Sequence, residues 1–297
     1  MYIVIINSYS GKRRTNKIFA ILSTMLPDSF VAFSSDLYQE KDMWNAIHNK
    51  IAEMKQTVKG FLIVGGDGTL HQAVQQLHSY HLPFGLIPSG SGNDFGRALS
   101  IPMNAKKALE RIVANQPGEY DLIDVNGKKV LSVAGIGVDA ETAIRCRQSQ
   151  LKKMLNMAFL GRLSYLMMFL KTVLRYKPSA VHIIDRHGAN YHFQRVWLIA
   201  AGNTGYYGGG IPICPNAKPD DGQIDLVIVH GLGLFQLLVA LPAVFVKKHL
   251  TLPYITMLTG NQFTVTAQRT LPVQGDGEEV GETPATIHIL PKAIRIF

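Results

Sequence analysis

Short apolar runs alternate with stretches of helical periodicity over about the first 118 positions of the chain. Tyr2-Ile3-Val4-Ile5-Ile6-Asn7 is an unbroken apolar run ending in a polar turn, the pattern of a strand buried on both faces. Further strands are predicted at 29–34, 60–64 and 83–88, and helices at 14–26, 41–55, 69–80 and 105–115. This alternation predicts a layered α/β domain with a mainly parallel sheet. After Pro117-Gly118 the texture changes. Strand-like pieces dominate, at 120–125, 130–133, 180–186, 191–200, 224–229, 262–266, 286–290 and 293–297. Helical stretches interrupt them at 140–176, with a break near Gly161, and at 234–249. The expectation is an α/β domain over 1–118 followed by a β-rich domain with helical insertions over 119–290.

Composition narrows the class. Hydrophobic residues make up 47% of the chain and charged ones 17%, which excludes wholesale disorder. Cys146 and Cys214 form no CxxC or Cys/His ligand spacing, so a disulfide scaffold or structural zinc site is not expected. The start has no basic n-region, so it does not read as a signal peptide. No run of about 18 uncharged apolar residues occurs; the longest candidate, 232–246, is broken by Gln236 and Pro242. The expected location is cytoplasmic, with peripheral contact at a membrane left open. The formal charge is +9. It comes in clusters such as Lys12-Arg13-Arg14, Lys106-Lys107, Lys128-Lys129, Lys152-Lys153 and Lys247-Lys248, which are solvated faces or attract phosphates. No aromatic RNA-binding motif or zinc-finger signature is present, and nucleic acid is not an expected partner.

Chemistry concentrates where strands end. Phe61-Leu62-Ile63-Val64 runs into Gly65-Gly66-Asp67-Gly68-Thr69 and then a helix. Paired glycines let the backbone approach a ligand closely, and the following helix offers free N–H groups to an anion. An acidic residue in such a loop repels a bare phosphate, so the pattern points to a metal-bound one. The bland alternative is a tight turn in which Asp67 is an N-cap. Phe84-Gly85-Leu86-Ile87-Pro88 leads likewise into Ser89-Gly90-Ser91-Gly92-Asn93-Asp94-Phe95-Gly96-Arg97, and the first strand ends in Asn7-Ser8-Tyr9-Ser10-Gly11-Lys12. Strand ends on one sheet edge converge on a common crevice. The loops are neither a Walker A nor a GxGxxG element.

NxxSG, GGDGT and GxGNDFGR together resemble the diacylglycerol kinase catalytic-domain family, which includes bacterial soluble lipid kinases. GGDGT alone is shared with NAD kinases; GNDFGR is the more specific piece. Lys218-Pro219-Asp220-Asp221-Gly222-Gln223 is similar to the family's DDG segment and Gln274-Gly275-Asp276-Gly277-Glu278 to its late DGE segment. The resemblance implies a three-layer ATP-binding domain, a β-sandwich-like domain that completes the active cleft, and a last strand, about 291–297, returning to the first domain. It implies ATP contacts from Asn7, Ser10, Gly11, Gly65, Gly66, Asp67, Gly68, Thr69 and Ser91. It further implies that Asp67, Asp94 and Asp121 organise catalytic Mg²⁺ and that Glu278 accepts the proton of a lipid hydroxyl. A separate structural Mg²⁺ would take the Asp221 carboxylate and the carbonyls of Lys218 and Gln223. The implied partner is a lipid substrate at a membrane surface; a homodimer is compatible with this reading. Ser8 stands where the family has Pro, and His71-Gln72 where it has Asn-Glu, so no acidic role exists at that position.

Rival readings are a soluble-metabolite kinase of the NAD-kinase type, sharing GGDGT, and a regulator without turnover. Two apolar stretches remain. Leu160, Leu163, Met167, Leu170 and Leu174 recur at helical spacing, and 233–246 is followed by Lys247-Lys248-His249. Core packing explains both; so does membrane docking or a lipid-chain channel.

Overall fold

The computed structural model describes residues 1–7, 12–34, 40–54, 57–148 and 161–297. The chain forms two compact units, Met1–Tyr120 with Ala293–Phe297, and Asp121–Lys292.

In the first unit, strands β1 (Tyr2–Asn7), β2 (Phe30–Ser34), β3 (Gly60–Gly65) and β4 (Phe84–Pro88) lie in the order β2-β1-β3-β4, all parallel. Helices α1 (Lys12–Met25), α2 (Glu40–Glu53), α3 (Asp67–Leu77), the short α4 (Asp94–Ala98) and α5 (Ala105–Val113) complete it. Layers on both sides explain why β1, β3 and β4 read as continuous apolar runs: Ile3, Ile5, Leu62, Ile63 and Ile87 are all buried. The chain winds one way from β1 to β2 and the other way from β1 to β3. The carboxyl ends of β1 and β3 therefore flank a topological switch point, where α/β sheets bind ligands. The last residues of the chain also belong to this unit. Ile296 pairs with Phe84 in parallel, and the Phe297 ring meets Tyr2 edge to face.

The second unit is a sandwich of two mainly antiparallel sheets. Strand β5 (Gly118–Val125) enters it and is followed by β6 (Lys128–Val130) and β7 (Val133–Gly137). Then come α6 (Val138–Gln148), α7 (Gly161–Val173), β8 (Ser179–Asp185), β9 (Asn190–Val196), β10 (Leu198–Gly202) and β11 (Ile224–Val229). Two short helices, α8 (Leu234–Ala240) and α9 (Pro242–Phe245), precede β12 (Ile255–Gly260), β13 (Gln262–Ala267), β14 (Pro272–Gly275), β15 (Glu278–Glu282) and β16 (Ala285–Ile296). One sheet runs β16-β13-β8-β9 with β5 and β6 attached; the other runs β12-β11-β10-β7-β14-β15. Ile224, Leu226 and Ile228 of β11 face the other sheet, among Ile183, Phe263 and Ile287. Val227 and Val229 face a second cluster with Phe169, Trp197 and Val244. With both faces covered, this antiparallel strand loses the usual polar alternation.

The strand predicted over 191–200 is two strands in different sheets. Arg195 takes a left-handed φ of 52°, and the chain turns at Trp197, whose indole N–H donates to the Leu232 carbonyl at 3.0 Å. The pieces predicted at 286–290 and 293–297 are one strand, kinked at Lys292, φ 52°.

Candidate active site

The glycines ending β3 and β4 bring two loops into backbone contact. A Cβ on Gly66 would lie 3.0 Å from the Gly90 Cα, and one on Gly90 would lie 2.5 Å from the Gly66 Cα, so Gly90 admits no side chain and Gly66 only if the facing loop gives way. The Ser89 N–H donates to the Gly65 carbonyl at 2.8 Å, continuing the ladder past the strand ends. Gly66 is the N-cap of α3 and supplies no side-chain cap to that helix. At the neighbouring strand end, the Asn7 amide donates to the Thr69 hydroxyl at 2.9 Å, tying the switch point together. Ser10 and Gly11 lie outside the described residues, as does Ser8.

Asp67 faces away from its own helix terminus. Its carboxylate accepts the N–H groups of Asp94, at 3.0 Å, and Phe95, at 3.1 Å, which open α4. It thus caps a neighbouring helix rather than α3, an arrangement that the expectation of a local N-cap missed. Asn93 holds the left-handed conformation, φ 54°, and its side-chain amide closes on Gly90 in both directions, at 3.1 and 2.8 Å. Asp94 is buried and paired with Arg97 at 2.7 Å, while Arg97 also donates to the Gly92 carbonyl at 3.3 Å. Asp67 and Asp94 are therefore neighbours. Ser91 is exposed at the loop tip, whereas the Ser89 hydroxyl is buried with no hydrogen-bond partner. Sequence reasoning passed over Ser89; the Ser-Gly-Ser run after a strand was its signal. His71 is packed inside α3, its Nε2 3.5 Å from the Gln75 amide nitrogen.

In the second unit, Asp121 is 1% exposed and binds two segments. Its carboxylate accepts the N–H of Lys292 at 2.8 Å and of Gly222 at 2.7 Å, and its own N–H donates to the Pro219 carbonyl at 2.6 Å. The structure thus sets Asp121 against the 218–223 loop. In that loop Asp221 is exposed and accepts the Gln223 N–H at 3.0 Å. The nearby Asp225 carboxyl is pushed above the usual range, chiefly by burial, against a lowering hydrogen bond from Thr259; the Asp221 charge adds to the rise.

Asp276 and Gly277 form the tip of the β14–β15 hairpin, with φ of 53° and 87°, the two positive values that a two-residue hairpin turn favours. The Asp276 carboxylate accepts the N–H groups of Leu131 and Ser132, both at 2.8 Å. Glu278 follows as the first residue of β15, half-buried, while Glu279 is exposed. Beneath the turn, Gln274 (1% exposed) accepts the Gly277 N–H at 2.7 Å and donates to Asp139 at 2.8 Å. Asp139 is fully buried at the start of α6. Burial, and then the charge and hydrogen bond of Asp139, push the Tyr207 hydroxyl well above its ordinary value. Neither Asp139 nor Gln274 was singled out in the sequence. The first had a signal: Gly135-Ile136-Gly137-Val138-Asp139 repeats the glycines-then-acid pattern at a strand end.

Tyr207 also borders an apolar cavity in this unit, about 830 Å³ including its open mouth, walled by Phe169, Trp197, Leu237, Leu241 and Val244. The stripe predicted through Met167, Leu170 and Leu174 faces outward instead. Leu166 and Phe169 are the α7 residues that face the cavity, a choice the sequence left open because both sides of that helix are apolar. Leu160 lies outside the described residues.

Residues 1–125 match the diacylglycerol kinase catalytic domain, and residues 132–297 match the YegS C-terminal NAD kinase beta sandwich-like domain. The chain belongs to the diacylglycerol kinase catalytic-domain family. It is 28% identical over 264 residues to a Mycobacterium tuberculosis protein named diacylglycerol kinase, covering 86% of this chain and 82% of that one. A solved diacylglycerol kinase structure from Bacillus anthracis superposes with a TM-score of 0.71 at 21% identity, over 99% of this chain and 95% of that one, a likeness of fold.

As a member of this kinase family the chain is expected to use ATP, and the α3 N-terminus, which has no side-chain cap, with the orphaned Ser89 hydroxyl suits an anionic phosphate. Among the described residues no three His, Cys, Asp or Glu side chains gather as a metal cluster. A divalent cation at the 218–223 loop would instead take one carboxylate, from Asp221, with the carbonyls of Lys218 and Gln223 and water. That all-oxygen set fits Mg²⁺. No helix among the described residues is long and apolar enough to cross a membrane.

Proposed function

We propose that this protein transfers the γ-phosphoryl group of ATP to the hydroxyl of a diacylglycerol-like lipid. The observation that carries the choice of acceptor is the apolar cavity of the second unit, whose wall of Phe169, Trp197, Leu237 and Val244 suits an acyl chain. A dinucleotide acceptor would need polar partners that this wall does not offer. Residues Gly65 to Thr69 and the N-terminus of α3 would hold the ATP phosphates, with Asn7 bracing Thr69 and Ser91 at the loop tip. Glu278 would accept the acceptor's proton as its oxygen bonds to the γ-phosphorus and the bond to the ADP oxygen breaks. Asp67 and Asp94 would face Mg²⁺ through water, since Asp67 is engaged by two backbone N–H groups; the ion would supply charge stabilisation to the transferring phosphoryl. Asp121 would act by holding the 218–223 loop in shape.

A cavity-filling variant tests the choice. Ala240 lines the cavity, so Ala240→Trp should cut transfer to a long-chain acceptor at least about tenfold through lost chain burial, with ATP affinity unchanged. Unaltered transfer would remove the cavity from the account. The NAD-kinase-like description of the second domain favours the rival acceptor, NAD, which belongs in the same assay.

A further inference from the structure

We propose that the outward face of α8 and α9 docks on an anionic phospholipid bilayer. Between Leu234 and Val246 the only polar residue is Gln236, so this helical segment is apolar on every side. Leu237, Leu241 and Val244, spaced i, i+4 and i+7, line the cavity. Away from the cavity the segment is exposed among the described residues: Phe235 is 79% exposed, Val239, one turn on, 65%, and Val246, just past α9, 64%, while Phe245 at the cavity mouth is exposed as well. A helix that is apolar all round is buried in protein or meets a membrane, and this one is buried on one side only. Helix α7, which walls the same cavity through Leu166 and Phe169, likewise exposes Met167, Leu170 and Leu174.

Charge selects the partner. Neither 161–177 nor 231–254 contains an acidic residue, whereas Lys171, Arg175, Lys177, Lys247 and Lys248 are exposed. The Lys247 ammonium lies 5.7 Å from the Tyr206 ring centroid, directly after the exposed Phe245-Val246 pair. A second copy of this chain would bring these cations against themselves. An anionic bilayer accepts both features, apolar side chains at the headgroup boundary and ammonium groups beside lipid phosphates. The same helices wall the cavity, so an acyl chain would enter from the bilayer past α8 and α9 without crossing water. That last step rests on the lipid-kinase reading; the docking itself does not.

The test is flotation of the full chain with vesicles of equimolar phosphatidylglycerol and phosphatidylcholine, and with phosphatidylcholine alone. Binding should require the anionic lipid and weaken with added salt. Lys247→Gln/Lys248→Gln should lower partitioning about 30-fold at low salt, the effect of two cations at such a surface. Phe235→Ser/Val239→Ser should lower it at least about tenfold through lost apolar contact, with melting unchanged because both side chains are exposed. Equal binding to both vesicle types, or variants that float like the parent chain, would overturn the proposal. So would a concentration-dependent dimer that Phe235→Ser/Val239→Ser abolishes while the parent chain ignores vesicles, which would make a second copy the occupant. Vesicle binding as expected, with no lipid phosphorylated, would leave docking standing and remove the kinase reading instead.

Discussion

Replacing Asp67 separates a structural duty from a chemical one. Its carboxylate receives two backbone N–H groups, from Asp94 and Phe95, the first two of α4. Asp67→Ala removes both acceptors. Loss of a helix cap typically costs about 1 kcal/mol, and a hydrogen bond to a charged group contributes roughly 1.5–3 kcal/mol. Asp67 is half-exposed, so water would replace part of this, leaving about 2 kcal/mol. On a unit of this size that lowers the melting temperature by roughly 5–10 °C. Asp67→Asn keeps one of the two acceptors, loses the charge and sets an amide NH2 against the other backbone N–H, so its melting shift should be at least half as large. If the carboxylate also organises charge at the phosphates, both variants should lose about 10² or more in transfer rate, measured below the lower melting temperature. Circular-dichroism melts and γ-phosphate transfer on the same preparations give both numbers. Near-normal turnover in Asp67→Asn would reduce Asp67 to a cap alone, and an unshifted melt in Asp67→Ala would refute the capping argument.

Glu278→Gln should preserve ATP binding and reduce turnover about 10²–10⁴-fold, as loss of a general base does; Glu279→Gln is the control, and the assignment fails if that variant is the inactive one. Asp221→Ala should abolish most of the rise in melting temperature that Mg²⁺ gives the parent chain, because an ion bound only by the native state stabilises it; equal Mg²⁺ responses would count against a cation at the 218–223 loop. Burial lowers the pKa of His230 below 6.5, so the folded state favours the neutral ring, bonded to Thr256 at 2.8 Å. Its contribution to stability is present above that value and is lost as pH falls through the depressed folded-state pKa. His230→Gln should therefore flatten the loss of stability between about pH 7 and about pH 5, and an unchanged slope would contradict the sign.

The fold class and the glycine loops were legible because each rests on neighbours in sequence. A buried strand running into Gly65-Gly66 needs no distant partner to be recognised, and GNDFGR is contiguous. The structure's additions all depend on long-range contacts. The Asp67 carboxylate takes backbone N–H groups 27 and 28 residues away, which no local pattern announces. Asp121 meets Lys292 and Gly222, and Gln274 meets Asp139 135 residues away, none of which leaves a periodic trace. Strands β14 and β15 escaped notice because Glu278-Glu279-Val280-Gly281-Glu282 carries one apolar side chain. Pairing of β14 with β7 incorporates the hairpin into the sheet. The outward stripe of α7 stayed undecided for the opposite reason, an excess of apolar positions on both faces.

The most direct measurement of the central claim offers the purified chain ATP labelled at its γ-phosphate, with Mg²⁺, dispersed diacylglycerol and NAD together, and separates the products. The account predicts label in the lipid phase and none on NAD. Label on NAD, or no transfer to either acceptor by a folded protein that binds ATP, would contradict it.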